Sequence, residues 1–276
     1  MIYRTAEGGQ AIVSRYRELL DGAAVEQVRV MTSFGESFVV CAGPVDGPPL
    51  VLLHGSGGNA AMWLAALPDW SAYFRVYAVD LLGEPGLSAP VRPPLESYPD
   101  WLAQVLAALG VDRTALVGVS LGGWLALAFA SRHPDRVGGL VAISPSGIGR
   151  QKYAVLAAAL FLLPFGDRGR LRTLRLVLGT TLPAAVTDYL LLIHRTFRPR
   201  RDRIPVLPDA ALRSLTMPVR VVVGARDRLL DSRGTHRRMT GNAPNATVTV
   251  LPDAGHYVEL DRAGVLEFLR RPGMAW

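Results

Sequence analysis

A serine, an aspartate and a histidine lie along this chain in an order that suits attack on an acyl carbonyl. Ser120 sits in Gly118-Val119-Ser120-Leu121-Gly122, which fits the G-x-S-x-G nucleophile elbow. A serine hydroxyl is a poor nucleophile at neutral pH. It needs a base, and the base needs an acid to orient it. Gly224-Ala225-Arg226-Asp227 offers the acid, and Pro252-Asp253-Ala254-Gly255-His256 offers the base. The pentapeptide alone is short enough to arise by chance. The order serine, acid, histidine is the one an elbow of this kind requires.

The surrounding segments are those that would bring the three together. Ala115–Val119 is a short apolar run suited to a strand covered on both faces. Leu121–Ser131 is small, apolar and free of proline, and predicts a buried helix. A serine raised between them has strained backbone angles and little room beside it, so its neighbours must be small. Val219–Val223 reads as a strand running into Asp227, and Ala246–Leu251 as a strand running into His256. Both residues should therefore meet Ser120 at one edge of a sheet. Asp231 is the competing carboxylate, but it is better placed to cap the next helix. The turn after Val137–Ile143 offers Ser144 and Ser146 and no carboxylate, and His133, His194 and His236 lack a comparable setting.

Acyl transfer also needs two N–H donors aimed at the developing oxyanion. One is expected from the amide of Leu121, directly after the nucleophile. The other is expected from the amide of Ser56, in the glycine-rich loop His54-Gly55-Ser56-Gly57-Gly58-Asn59. A phosphate-binding role for that loop fails, because no Gly-Lys-Ser/Thr or G-x-G-x-x-G pattern is present. His54 is read as a brace for the loop, and Glu84 as a structural acid near the site. Gly55, Trp124, Leu160 and Leu163 are the candidate substrate-binding residues.

Taken in order, the chain predicts a helix over Ala11–Leu20 and a hairpin of Val25–Thr32 and Ser37–Cys41. A strand at Leu50–Leu53, a helix starting near Ala60, a strand at Arg75–Val79 and a helix over Ser97–Leu109 follow. Beyond Val137–Ile143 the strand signal stops. Residues 147–205 hold three apolar helical patterns, at Tyr153–Leu163, Leu171–Leu178 and Ala184–Phe197. Alternation then resumes, ending in a helix over Val258–Arg270. Strands alternating with helices mean a mostly parallel sheet covered on both faces. The expected fold is α/β, with about eight strands, an antiparallel N-terminal edge and a helical cap inserted after the sixth strand. The core domain would be 1–146 and 206–276, and the cap 147–205.

The chain has 276 residues, half of them apolar, enough for a sizeable core. Its one cysteine, Cys41, leaves no internal disulfide and no cysteine metal cluster, which fits a cytoplasmic protein. The polar N-terminal stretch Met1–Gln10 lacks a signal core, and the apolar run Ala154–Phe165 is too short to span a bilayer. The net charge of +7 is uneven. Residues 147–205 carry eleven basic side chains against three acidic ones, a net of +8, and the rest sums to −1. These arginines read in three ways: a solvated face, an attractor for an anionic or carrier-bound substrate, or a contact with an anionic membrane. Nucleic acid is not expected, because no reading motif accompanies the charge.

The chain resembles the α/β-hydrolase superfamily over nearly its full length. The carriers are His54-Gly55-Ser56-Gly57-Gly58, the Asp80–Ser88 loop, Gly118–Gly123, Asp227 and Gly255-His256. Asp80–Pro90 and Ser120–Leu127 are similar to its bacterial carboxylesterase-like branch. The resemblance implies a Ser120–His256–Asp227 triad that cleaves a carboxylic ester or related acyl bond of a largely apolar small molecule, with no cofactor. Ser120 argues against the haloalkane dehalogenase and epoxide hydrolase branches, which use a carboxylate nucleophile. It leaves open a biosynthetic thioesterase, cyclase or eliminating lyase, a C–C bond hydrolase, and a small-molecule receptor.

Overall fold

Short apolar runs bounded by glycine, proline or polar turns become strands, and the longer periodic runs between them become helices. The computed structural model describes residues 1–271 and 274, without the side chains of Leu156 and Leu163. The chain opens with α1 (Ala6–Asp21), the hairpin β1 (Glu26–Thr32) and β2 (Gly35–Ala42), then β3 (Pro49–Leu53) and α2 (Leu67–Trp70). Next come β4 (Arg75–Val79), α3 (Tyr98–Ala108), β5 (Thr114–Val119), α4 (Leu121–Arg132) and β6 (Val137–Ile143). The helices α5 (Ala154–Leu162), α6 (Gly166–Leu178), α7 (Ala184–Thr196) and α8 (Asp209–Arg213) follow without an intervening strand. The chain closes with β7 (Val219–Gly224), α9 (Ser232–Asn242), β8 (Ala246–Leu251) and α10 (Arg262–Leu269).

The eight strands form one sheet in the order β1-β2-β4-β3-β5-β6-β7-β8. The β1–β2 and β2–β4 pairs are antiparallel, and every pair from β4–β3 onward is parallel. The α/β class, the strand number and the antiparallel edge therefore match the sequence expectation. Alternation along β3 shows how the sheet is covered. Val51 and Leu53 pack with α3 and α4, whereas Leu50 and Leu52 pack with α1 and α10. Burying one such side chain contributes roughly 1.5–3 kcal/mol, so these two faces are the main source of stability.

Four expected helices differ from the structure: α1 begins at Ala6 rather than Ala11, where the Thr5 side chain caps it by accepting the Gly8 amide at 3.0 Å, and α6 begins at Gly166 rather than Leu171. Instead of a helix from Ala60, the chain makes a 3-10 turn at Ala60–Trp63 and the four-residue α2. Pro68 lies at the start of α2, and the segment seats Trp63 and Trp70 in the core. The last helix begins at Arg262 rather than Val258, because the Asp261 side chain caps it by accepting the Gly264 amide at 2.9 Å.

The helical segment after β6 leaves and rejoins the core at one point. Gly147 has φ +72, its carbonyl accepts the Leu207 amide at 2.9 Å, and a Cβ there would meet Trp124 and the Pro205 carbonyl. The N-terminal segment clasps the far side of this insert. Ile2 and Ile12 pack with Ile193 and Phe197, and Tyr3 bridges to Phe197.

Candidate active site

Ser120 stands between β5 and α4 with φ 51 and ψ −107. Side-chain-bearing residues rarely adopt such angles, which persist only where the surroundings over-determine them. They do so here. A Cβ on Gly118 would strike the Gly122 backbone, and one on Gly122 would strike the Leu53 and His54 carbonyls. The Ser120 amide donates to Ile143 O at 2.9 Å, and its carbonyl accepts from the amides of Trp124 at 2.9 Å and Ser146 at 3.1 Å.

The ends of β7 and β8 bring the other two residues to this serine. His256 Nε2 lies 3.1 Å from Ser120 Oγ, and His256 Nδ1 lies 2.8 Å from Asp227 Oδ2. The loops bearing them touch directly, since a Cβ on Gly224 would strike the carbonyls of Ala254 and Gly255. Asp227 is buried, and its other oxygen accepts the amides of Leu229 at 2.7 Å and Leu230 at 3.0 Å. Burial alone would raise its pKa. The hydrogen bond and charge of His256, with the two amides, outweigh burial and hold the carboxyl below its usual range. With Asp227 ionised, Nδ1 is the protonated ring nitrogen and Nε2 is the acceptor facing the serine. Asp231 sits at the N-cap position of α9, but its side chain makes no capping hydrogen bond.

Contacts that the sequence does not announce steady this arrangement. Ser144, at φ 43 beyond β6, donates its hydroxyl to His256 O at 2.9 Å. Lys152 donates to Asp227 O at 2.7 Å, and its amide donates to Leu229 O at 2.7 Å. The only outward signals are the position of Ser144 after a strand and the fact that Lys152 is the chain's one lysine.

The glycine-rich loop lies against the nucleophile, where a Cβ on Gly55 would sit 3.5 Å from Ser120 Cβ. Among the described residues the amides of Ser56 and Leu121 make no hydrogen bond. His54 is fully buried. Its Nδ1 lies 2.8 Å from Gly55 O, and its Nε2 accepts the Leu81 amide at 2.9 Å. Burial pushes its pKa down to about 4 against the opposing bond to Gly55, so the ring is neutral and acts as a brace. Glu84 is buried as well. One oxygen accepts the Gly57 amide at 2.6 Å, and the other has no partner among the described residues. Burial lifts its pKa to about 7, opposed by the Gly57 amide and by Arg92 and Arg200. Asn59 ties the end of the loop to Pro85 O at 2.8 Å and to the Tyr189 hydroxyl of α7 at 2.7 Å.

The candidate substrate-binding residues fall in different places. Gly55 adjoins Ser120, and Trp124 is buried beneath Gly147 with its indole N–H unpartnered among the described residues. Leu160 is 69% exposed on α5, and the Leu163 side chain lies outside the described residues. Among the described residues no helix is long and apolar enough to cross a membrane, and no three His, Cys, Asp or Glu side chains gather as metal ligands.

The profile of the alpha/beta hydrolase family matches residues 50–268. The chain belongs to that family. The hydrolase is 29% identical to the Bacillus subtilis protein named "Uncharacterized carboxylesterase nap" over 260 residues, covering 84% of this chain and 81% of that protein. Its fold matches the crystal structure of carboxylesterase CesB (YbfK) from Bacillus subtilis with a TM-score of 0.84 at 27% identity, covering 96% of this chain and 99% of the other. It matches naproxen esterase (carboxylesterase NP) from the same organism with a TM-score of 0.82 at 28% identity, covering 96% and 97%. The hydrolase is thus a carboxylesterase-like enzyme of the α/β-hydrolase fold, and ester hydrolysis is the activity that its relatives support.

Proposed function

We propose that the enzyme cleaves a carboxylic ester or related acyl bond of a largely apolar small molecule through Ser120, His256 and Asp227. The observation that carries this reading is the hydrogen-bonded chain from Ser120 Oγ through both nitrogens of His256 to Asp227, built on a serine held at φ 51. His256 Nε2 takes the hydroxyl proton as Oγ attacks the carbonyl. Asp227 keeps Nδ1 protonated and stabilises the imidazolium that forms. The Ser56 and Leu121 amides hold the oxyanion. Collapse of the tetrahedral intermediate expels the alcohol, which takes the proton from Nε2, and leaves an acyl-enzyme. Water then attacks the acyl carbon, giving its proton to Nε2, and the acid leaves as Ser120 regains its proton.

Residues 147–205 act as a cap over the strand ends, with Gly55 and Leu160 toward the substrate. The buried, free Cys41 fits a cytoplasmic setting. Hydrolysis of p-nitrophenyl butyrate tests the reading. Ser120→Ala should lose at least about 10³-fold in kcat, and turnover that survives this change would move the nucleophile elsewhere.

A further inference from the structure

A cleft of about 330 Å³ opens beside the nucleophile, with Ser146, Arg150, Tyr153, Arg203, Val206 and Leu230 among its lining residues. Ser120 and His256 are not among its lining residues, but Ser146 is, and Ser146 Oγ lies 3.4 Å from Ser120 Oγ. The outer part of the cleft carries two arginines and no acidic side chain. Arg170 and Arg195 share Asp167, and Arg200 takes Asp202. Among the described residues the side chains of Arg150 and Arg203 have neither an ion pair nor a hydrogen bond. Arg150 and Arg203 are exposed, and what sets them apart from Arg168, Arg172, Arg175, Arg198 and Arg201, whose side chains are likewise unpaired among the described residues, is that both line one cleft.

The platform beneath Arg150 is tied down. Its carbonyl accepts the Asp231 amide at 2.9 Å, Gln151 bridges to Leu230, and the Gly149 amide donates to Thr235 Oγ1 at 3.1 Å. Arg203 enters from the returning end of the insert, two residues before Pro205, whose carbonyl lies against Gly147. The cleft therefore joins two separate stretches of chain, each presenting an unpaired guanidinium, to an apolar wall and to Ser146, the neighbour of Ser120. A guanidinium pairs with a carboxylate through parallel N–H···O bonds, and two of them leave an anion well matched and a neutral group unrewarded.

We propose that Arg150 and Arg203 form an anion site for a substrate bearing one carboxylate remote from its scissile ester. Tyr153, Val206 and Leu230 take the apolar body between the two ends. The volume is at the small end for ligand pockets and suits a compact half-ester of a dicarboxylic acid or a carboxylated aryl ester. The proposal rests on Ser120 as nucleophile.

The test uses p-nitrophenol release from mono-p-nitrophenyl glutarate and from its neutral methyl-capped counterpart, with 4-acetoxybenzoate and phenyl acetate placing the charge on the alcohol side. The wild-type enzyme should favour the charged member of at least one pair by about tenfold or more in kcat/KM, and added salt should shrink that ratio. The Arg150→Gln/Arg203→Gln double variant should bring the ratio near one. Arg168→Gln/Arg172→Gln, with the same change in net charge on exposed parts of the insert, should keep it. Equal turnover of both members of both pairs, or a ratio untouched by the Arg150/Arg203 change, would overturn the anion site and leave the esterase reading standing. Absence of turnover with all four esters, neutral ones included, would sink the esterase reading and this proposal together.

Discussion

The elbow and the insert are built to opposite standards of packing. Ten of the twelve residues of α4 are buried, so the helix behind Ser120 has no free face on which to shift. In the insert, α6 buries only Gly169 and Thr173, α7 buries only Ile193, and Leu160, Phe161 and Phe165 stand exposed. Bond making requires atoms held to a fraction of an ångström, which a close-packed strand end and helix start supply. The insert is loosely packed, yet it is tied to the core at Gly147, Leu178 and Tyr189, and through Lys152 it holds the carbonyl of Asp227.

The sharpest way to break this contrast is to alter a single oxygen in the rigid region. Asp227→Asn keeps the shape but favours the wrong histidine tautomer, and kcat should fall on the order of 10⁴-fold. Asp231→Asn should stay within a few-fold, and the reverse pattern in steady-state kinetics would relocate the acid. Glycines give the next largest effect. Gly122→Ala drives a methyl into the Leu53 and His54 carbonyls and should cost about 3 kcal/mol in denaturant unfolding. Gly166→Ala in the insert meets nothing within 4 Å and faces only its φ of +58, so its cost should be about 1 kcal/mol.

Glu84 sharpens the comparison through pH. Folding raises its pKa from 4.5 to about 7, so its ionisation is harder in the native protein than in the unfolded chain. That subtracts stability as pH rises through this window. Glu84→Gln should therefore raise the melting temperature at pH 8, by the equivalent of about 1–3 kcal/mol, and the gain should vanish near pH 4.5. A gain that is the same at both pH values would remove the charge from the explanation. The smallest effect belongs to the exposed helical insert. Leu160→Ser should change stability by no more than about 0.5 kcal/mol while raising KM for a decanoyl ester several-fold. An unchanged KM would take Leu160 out of the substrate path.

How much of this was legible from the sequence follows the same division. β6 and β8 match their expected ranges because short apolar runs with clear turn residues admit few other readings. Ser120, Asp227 and His256 were legible because each follows a strand that delivers it to a common edge. The helix expected from Ala60 was not, since Pro68 and the burial of two tryptophans override a local helical period. Nor were the bonds from Ser144 to His256, Lys152 to Asp227 and Glu84 to Gly57. Each joins loops far apart in the chain, and serine, lysine or glutamate in a loop has no periodic pattern to reveal its partner.

The central claim is that His256 and Asp227 activate Ser120. Its most direct test is labelling with a fluorophosphonate, the adduct mapped by mass spectrometry, in the wild type and in His256→Ala. The account predicts one adduct, on Ser120, formed rapidly in the wild type and at least about 10³-fold more slowly without the histidine. An adduct on another residue, or labelling of Ser120 at an undiminished rate in His256→Ala, would contradict it.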